Sequence, residues 1–246
     1  GRDERWKELT QQSLNDQRSW DIEYDLKFIG SKYRLLDDDI IDHYNDRIYK
    51  EDIKPISTLK LFDSYELDIF YNPESTRVYS VGGDVSDGIG SDASTIKVFD
   101  VTEPIKIKQV ASFSCNSISP TKFAFIIAQV GYLFNLAPIT IEYNAMGSVV
   151  LTYLNEIINY ENIVSENTKR PGIQSNKKTK SDACFNFRKL CHTCDVEIND
   201  SLTAFELQPL LRAAVRVGAV GSLGDDAFPA LAAGLAVEGL TFLVAV

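Results

Sequence analysis

The chain has 246 residues, a formal net charge of −10 and 24% charged residues. That length is enough to bury a sizeable core, and a hydrophobic content of 44% excludes a wholly disordered chain. Four cysteines exclude a disulfide-stapled secreted scaffold. The acidic total argues against a polybasic DNA coat, because sequence-independent phosphate binding depends on Lys and Arg. An enzyme that holds metal ions with carboxylates is compatible with this composition.

The two ends of the sequence bear on its cellular location. The first residues, 1–6, contain no apolar h-region, so we expect no secretory signal. With free cysteines, this predicts a reducing intracellular compartment. Residues 227–246 are nearly all apolar and are the one stretch that suggests a membrane span. Because Glu238 would lie in the hydrocarbon at a cost of a few kcal/mol, a helix buried in a globular core is favoured.

Residues 1–75 differ from the rest of the chain in charge and in the spacing of their apolar residues. They are acidic, and the spacing of their apolar residues predicts a helix or a helical pair. Asp37-Asp38-Asp39 before an apolar pair is typical of a capped helix start. We predict that residues 1–75 form an N-terminal extension packed on a domain formed by residues 76–246.

From residue 77 the sequence alternates strand and helix signals. Apolar runs bounded by turns predict an antiparallel meander of three strands, at 78–85, 94–100 and 105–114. Ser119-Pro120 predicts the start of a helix. The remaining elements are a helix to about 136, a strand at 138–144, a helix at 147–159, an exposed loop at 165–180, a helix at 182–191, a strand at 196–198 and a capped helix from about 202. Since strands that alternate with helices pair in parallel, we predict an α/β fold with a mixed central sheet flanked by helices.

Acidic residues occupy comparable places in this layout. Asp84 ends the first strand of the meander, Glu142 ends the next core strand, and Asp225-Asp226 begins the last helix. Strand ends of such a sheet gather at one edge, where converging carboxylates suit hard divalent cations. Two such ions can activate a water and stabilise the leaving oxygen of a phosphodiester. Asp92, beyond a Gly-rich turn, could add an oxygen. The alternative is that these acids are solvated edge residues or helix caps.

The sequence around these acids resembles a known family. Residues 82–92, followed by 95–100, resemble the first hairpin of the nuclease domain of tailed-bacteriophage terminase large subunits. Residues 139–147 resemble that family's Glu-x-Asn-x-x-Gly motif, and residues 179–182 resemble its basic loop before the next helix. Upstream, residues 20–31 resemble the pattern that links the family's ATPase to its nuclease.

The resemblance implies an RNase H-like fold and a metal-dependent endonuclease that cuts concatemeric viral DNA during genome packaging. It implies two Mg²⁺ or Mn²⁺ ions held by two catalytic carboxylates, Asp84 and Glu142, with Asp92 as an accessory acid near the metals. The third catalytic, metal-binding carboxylate would be Asp225 or Asp226. That choice stays open, because Leu223-Gly224 stands where the family usually has a polar residue.

The implied partners are double-stranded DNA, a terminase ATPase domain, the small terminase subunit and the portal, in the host cytoplasm and without a membrane. The sequence contains no Gly-x-x-x-x-Gly-Lys-[Ser/Thr] run, so we expect the nuclease half without its packaging motor. The basic stretch 169–189 favours a grip on DNA phosphates beside the metals, the alternative being a solvated loop. The residues predicted to bind DNA are Lys177, Lys178, Lys180 and Arg188.

Two other functions stay open at this point. Another RNase H-superfamily enzyme, such as a Holliday-junction resolvase or an integrase, would use the same carboxylates. A catalytically inactive assembly module would keep the fold without the chemistry.

The cysteines suggest a further kind of site. Cys191-His192-Thr193-Cys194, with Cys184 upstream, has partial zinc-ligand spacing. A second pair at suitable spacing is missing from the sequence, so packing thiols are the favoured interpretation.

Overall fold

The computed structural model describes residues 38–88, 90, 92–143, 145–166, 170–174, 186–187, 189–192, 195–201 and 203. Within these residues the strands are β1 (Ser57–Lys60), β2 (Glu66–Ile69), β3 (Tyr79–Asp84), β4 (Ser94–Glu103), β5 (Lys106–Cys115), β6 (Ile139–Ile141) and β7 (Asp195–Glu197). The α-helices are α1 (Asp38–Asn45), α2 (Pro120–Leu133) and α3 (Ala145–Thr152). Short π-helical segments, Asp46–Lys50 and Tyr153–Ile157, continue α1 and α3, and a 3₁₀ turn, Phe62–Ser64, joins β1 to β2.

All seven strands belong to one mixed sheet. Its order is β1-β2-β5-β4-β3-β6, and β7 also pairs with β5. The strands β3, β4 and β5 form an antiparallel meander, whereas β6 runs parallel to β3 and β7 runs parallel to β5. The predicted fold class, an antiparallel meander plus parallel strands flanked by helices, is confirmed.

One face of the sheet is apolar and packs under α2. A Cβ added at Gly83 on β3 would lie 2.5 Å from Cδ1 of Ile127 on α2, so strand and helix approach closely at this point. The buried core includes apolar residues of β3, β4, β6, α2, α3 and the π-helical segment that follows α3, among them Val81, Ile96, Val98, Ile126, Ile139, Val150 and Leu154. The helices therefore fix the positions of β3 and β6 relative to each other.

The opposite face of the same strands carries polar side chains. Because successive residues of a strand point to opposite faces, the register assigns one group of residues to this side. We call this group the polar face; its members are Ser80, Asp84, Thr95, Lys97, Ser112, Thr140 and Glu142. The predicted metal ligands of β3 and β6 thus lie on the side away from α2.

Helix α2 begins where the sequence predicts it. The Ser119 hydroxyl accepts a hydrogen bond from the backbone N of Lys122 at 3.4 Å, and Pro120 occupies the first helical position. The helix ends at Leu133 rather than near residue 136. Asn135 and Leu136 have φ of 62° and 57°, a left-handed conformation that no right-handed helix can include.

The N-terminal region contains strands that the sequence analysis missed. Helix α1 contains Asp38 and Asp39 of the predicted helix start, whereas β1 and β2 lie where no strand is predicted. All four residues of β1 are exposed, so the strand lacks the apolar alternation by which a strand is recognised. Asp68 of β2 pairs with Ser112 of β5, which joins part of residues 1–75 to the sheet. The domain division at residue 75 stays a prediction.

Two strands share the outer edge of β5. Strand β2 pairs with residues 111–112 and β7 with residues 106–108. Two residues after the end of β7, the backbone N of Asn199 donates to Oε1 of Gln109 at 2.8 Å. The side-chain Nδ2 of Asn199 donates to the Gln109 backbone carbonyl at 2.7 Å. The predicted strand at 196–198 is therefore present one residue earlier and is firmly held to the sheet.

Several predicted elements fall partly or wholly outside the described residues. Residues 186–187 and 189–192 are helical, in agreement with the helix predicted at 182–191. Among the described helices, none has the length and apolar character needed to cross a bilayer. The apolar stretch 227–246 lies outside the described part of the chain.

Candidate metal centre

Strand pairing brings Asp84 and Glu142 to neighbouring positions. The last residue pair between β3 and β6 joins Gly83 to Ile141, and the next residue of each strand is one of the two acids. Adjacent strands lie about 4.8 Å apart, and residues directly opposite each other point to the same face. The two acids therefore occupy neighbouring positions on the same face, at the end of the parallel strand pair.

The backbone around Glu142 is held from both sides. On the side away from β3, Ile173 forms a parallel bridge to Glu142. The backbone N of Tyr143 donates to the Ile173 carbonyl at 2.6 Å, and the Ile173 N donates to the Ile141 carbonyl at 3.0 Å. Because the backbone is hydrogen-bonded on both sides, the position from which the Glu142 side chain extends is well defined.

The two acids differ in exposure. Glu142 is only 9% exposed, whereas Asp84 is partly exposed at the end of β3. Removing a carboxylate from water is costly unless hydrogen bonds or a cation compensate its charge. Carboxylate oxygens are the ligands that hard divalent cations prefer, so Asp84 and Glu142 are suitable ligands for such an ion.

Asp92 lies in the loop between β3 and β4, at the same end of the sheet as Asp84. The base of this loop is closed by two serines, since the Ser86 N donates to the Ser94 hydroxyl at 3.0 Å. Gly88 has φ of +74°, and a Cβ there would lie 2.3 Å from the Ile118 carbonyl oxygen. Asp92 itself is exposed. Its role near the metals stays a prediction.

The remaining predicted site residues lie outside the described part of the chain. They are the third carboxylate, Asp225 or Asp226, and the predicted DNA-binding residues Lys177, Lys178, Lys180 and Arg188. Among the described residues there is no group of three or more His, Cys, Asp or Glu side chains placed to hold a metal ion. The structure thus brings two of the predicted carboxylates together, and their roles stay predictions.

A buried lysine on the polar face was not identified from the sequence. Lys97 on β4 is 1% exposed and pairs in register with Gly82, two residues before Asp84 on the same strand. Its Nζ donates to the Ser112 hydroxyl at 2.9 Å and forms an ion pair with Asp200. The sequence signal is a lysine in the middle of an apolar strand, and its acidic partner cannot be read from that strand.

Asp200 is held by more than the lysine. Its carboxylate accepts hydrogen bonds from the Thr203 hydroxyl at 2.6 Å and from the Ser112 hydroxyl at 3.1 Å. Burial raises the pKa of this carboxyl, but the Lys97 ammonium and the hydrogen bonds outweigh burial and hold the pKa below its usual value. Asp200, which precedes the capped helix predicted from about residue 202, therefore also takes part in an ion pair with a buried lysine.

The cysteine and histidine residues near β7 do not form a metal site within the described residues. The Tyr44 hydroxyl donates to Sγ of Cys191 at 3.5 Å. Burial raises the pKa of Tyr44 above its ordinary value, and the neighbouring Cys191 raises it further. His192 is exposed, and Cys184 and Cys194 lie outside the described residues. Cys191 thus contacts Tyr44, and the interpretation of the four cysteines as packing thiols stays a prediction.

No family model matches the chain. Solved structures that are similar to it include the large terminase nuclease from thermophilic phage G20c with bound cobalt and the same nuclease with bound magnesium. Each has a TM-score of 0.48 and 14% identity, over 57% of this chain and 68% of that chain. The same nuclease with bound zinc has a TM-score of 0.47 and 13% identity, over 63% of this chain and 88% of that chain. These structures are of the kind that the sequence motifs resemble.

Proposed function

We propose that this chain is a divalent-metal-dependent nuclease that hydrolyses DNA phosphodiester bonds. The observation that carries the proposal is the pairing of Gly83 with Ile141, which puts Asp84 and Glu142 side by side at the end of two parallel strands. The motifs around these acids resemble those of terminase nucleases, which extends the proposal to the cutting of concatemeric viral DNA during genome packaging.

Each acid has a distinct part in the proposed site. Asp84 and Glu142 would hold divalent cations between β3 and β6, with Asp225 or Asp226 as the third carboxylate and Asp92 as an accessory oxygen donor. Bound cations of this kind supply an activated water and stabilise the charge on the leaving oxygen. The pairing of β3 with β6 and the close packing of Gly83 against Ile127 of α2 support the relative placement of the two strand ends.

The partners of the proposed reaction follow from its substrate. Double-stranded DNA would lie against the basic stretch that contains Lys177, Lys178, Lys180 and Arg188, since cations neutralise phosphates. We further propose that the chain works with a terminase ATPase domain, the small terminase subunit and the portal in the host cytoplasm.

Plasmid cleavage in Mg²⁺ or Mn²⁺ tests the proposal. Asp84→Asn and Glu142→Gln should abolish nicking while leaving the thermal melting temperature of the protein unchanged. Glu66→Gln is the matched control, because this exposed acid lies on β2, away from the strand pair that carries the site. Cutting like wild type by both site variants would contradict the proposal.

The choice of DNA substrate distinguishes the alternatives. Linear and supercoiled duplexes should both be cut. Cutting restricted to four-way junctions would point to a resolvase, and joining of DNA ends would point to an integrase. Binding of no metal by the wild-type chain would identify an inactive assembly module.

A further inference from the structure

An exposed arginine is fixed against the ring that follows Glu142. The guanidinium carbon of Arg170 lies 4.1 Å from the centroid of the Tyr143 ring. This is well inside the distance at which a cation is attracted to the face of an aromatic ring. Arg170 itself is exposed, so a charged group is held in place at the protein surface beside a candidate metal ligand.

The segment 170–173, which contains Arg170, is hydrogen-bonded to the backbone at the end of β6. Ile173 bridges Glu142 by backbone hydrogen bonds, and the Gly172 N donates to the Val164 carbonyl at 2.8 Å. Gly172 has φ of +90°, and a Cβ there would lie 2.4 Å from Cδ1 of Leu151. This close packing fixes the backbone two residues after the arginine.

Arg170 differs from the other arginines whose contacts are described. Arg47 pairs with Glu197 at 2.8 Å, and Arg77 pairs with Asp100 at 3.3 Å. Within the described part of the chain, Arg170 has an aromatic ring as its partner and no carboxylate. Its five N–H donors can therefore face an anion in solvent, and stacking holds the planar guanidinium in one orientation.

The position of Arg170 determines which phosphate it can reach. Tyr143 packs against the hydrophobic core, on the side of the strand opposite to that of the Glu142 carboxylate. The guanidinium thus flanks the proposed metal centre and does not point into it. A DNA strand whose scissile phosphate lies at Asp84 and Glu142 would pass a neighbouring phosphate along this edge of the sheet.

We propose that Arg170, oriented by Tyr143, is a positioning residue that binds a backbone phosphate of double-stranded DNA next to the scissile one. This inference rests on the proposed function, since it needs DNA at the Asp84–Glu142 edge. It assigns Arg170 to substrate binding and not to the chemical step, because the residue lies beside the carboxylates without sharing their face.

The test is DNA binding without cleavage, measured by fluorescence anisotropy of a labelled duplex in EDTA. Arg170→Gln should weaken binding about three- to tenfold at moderate salt and reduce the slope of log K against log salt concentration by about 1. Lys60→Gln is the matched control, because it removes one exposed positive charge from β1, at the edge of the sheet opposite to β6. It should leave both quantities unchanged.

A second pair of variants tests the role of the ring. Tyr143→Leu should weaken DNA binding in the same direction as Arg170→Gln, and the double variant should bind no more weakly than Arg170→Gln alone. Tyr143→Phe keeps the ring and should bind as wild type does. In cleavage assays Arg170→Gln should raise KM and leave kcat within about twofold.

Two results would overturn the inference in distinguishable ways. If wild type binds DNA and Arg170→Gln binds it equally well with the same salt slope, the inference is wrong and the proposed nuclease function stands. If wild type neither binds nor cuts DNA, both the inference and the proposed nuclease function are wrong.

Discussion

Lys97 and Asp200 form a largely buried ion pair between the middle of β4 and the segment that follows β7. The two residues are 103 positions apart in the sequence. The pair lies on the polar face, where Lys97 is opposite Gly82, two residues before Asp84. The ammonium therefore adds positive charge to the face that carries the proposed metal ligands, and Asp200 compensates that charge.

Removing the lysine should destabilise the protein strongly. Lys97→Met leaves the Asp200 carboxylate buried without its cation, which typically costs about 3–5 kcal/mol. The double variant Lys97→Met/Asp200→Asn should recover a large part of this loss, because no uncompensated charge remains. Urea unfolding of the single and double variants measures both effects.

The control for this experiment is an exposed ion pair. Lys122 on α2 pairs with Asp63 at 2.5 Å, and both side chains are about half exposed. Lys122→Met should change the free energy of unfolding much less than Lys97→Met does, since solvent screens exposed pairs. Equal losses for the two variants would show that burial does not set the strength of the Lys97–Asp200 pair.

The ion pair also predicts how stability depends on pH. Asp200 has a lower pKa in the folded state than in the unfolded state, so the unfolded state binds more protons in this range. Its contribution is fully present above the unfolded pKa of about 3.8 and is lost as the pH falls through the folded pKa. Unfolding free energies of wild type and Asp200→Asn should therefore converge below about pH 4. A difference that grows towards acid pH would contradict this assignment.

Close packing beneath the site gives another prediction. An alanine at position 83 would place its Cβ 2.5 Å from Cδ1 of Ile127 and 2.7 Å from Cδ1 of Ile141. Gly83→Ala should cost about 1–3 kcal/mol through overpacking. It should also lower nuclease activity, because residue 83 precedes Asp84 and sets its distance from Glu142.

A second substitution tests whether the clash with α2 is the cause. Ile127→Val deletes the Cδ1 atom and by itself should cost about 0.5–1.5 kcal/mol. In the Gly83→Ala background it should recover stability, so the two changes are not additive. Strict additivity in thermal or urea unfolding would place the cost of Gly83→Ala elsewhere.

The sequence predicted the sheet well where local patterns report burial. The apolar runs of β3, β4 and β5 and the Ser119-Pro120 helix start agree with the structure to within a few residues. Strand β1 was missed because its four exposed residues carry no apolar alternation. Strand β2 does alternate, with Leu67 and Ile69 buried, but two apolar residues are too short a pattern to identify a strand. Their place in the sheet depends on the pairing of β2 with β5 and of β1 with β2, which no local pattern records.

In the candidate site, too, some residues could be predicted from local sequence patterns and others depend on distant contacts. Asp84 and Glu142 could be predicted as neighbours because each acid ends a strand, and parallel strands end at the same edge. Lys97 could be placed on the face opposite Ile96 and Val98 by alternation, but its burial depends on Asp200, far along the chain. The stacking of Arg170 on Tyr143 likewise depends on how residues 170–173 return to β6.

Direct titration of the chain with Mn²⁺, by calorimetry, tests the central claim that Asp84 and Glu142 form a metal centre. Wild type should bind Mn²⁺, and Asp84→Asn and Glu142→Gln should each lose most of that affinity, while Glu66→Gln should retain it. Equal Mn²⁺ affinity in wild type and both site variants would contradict the account.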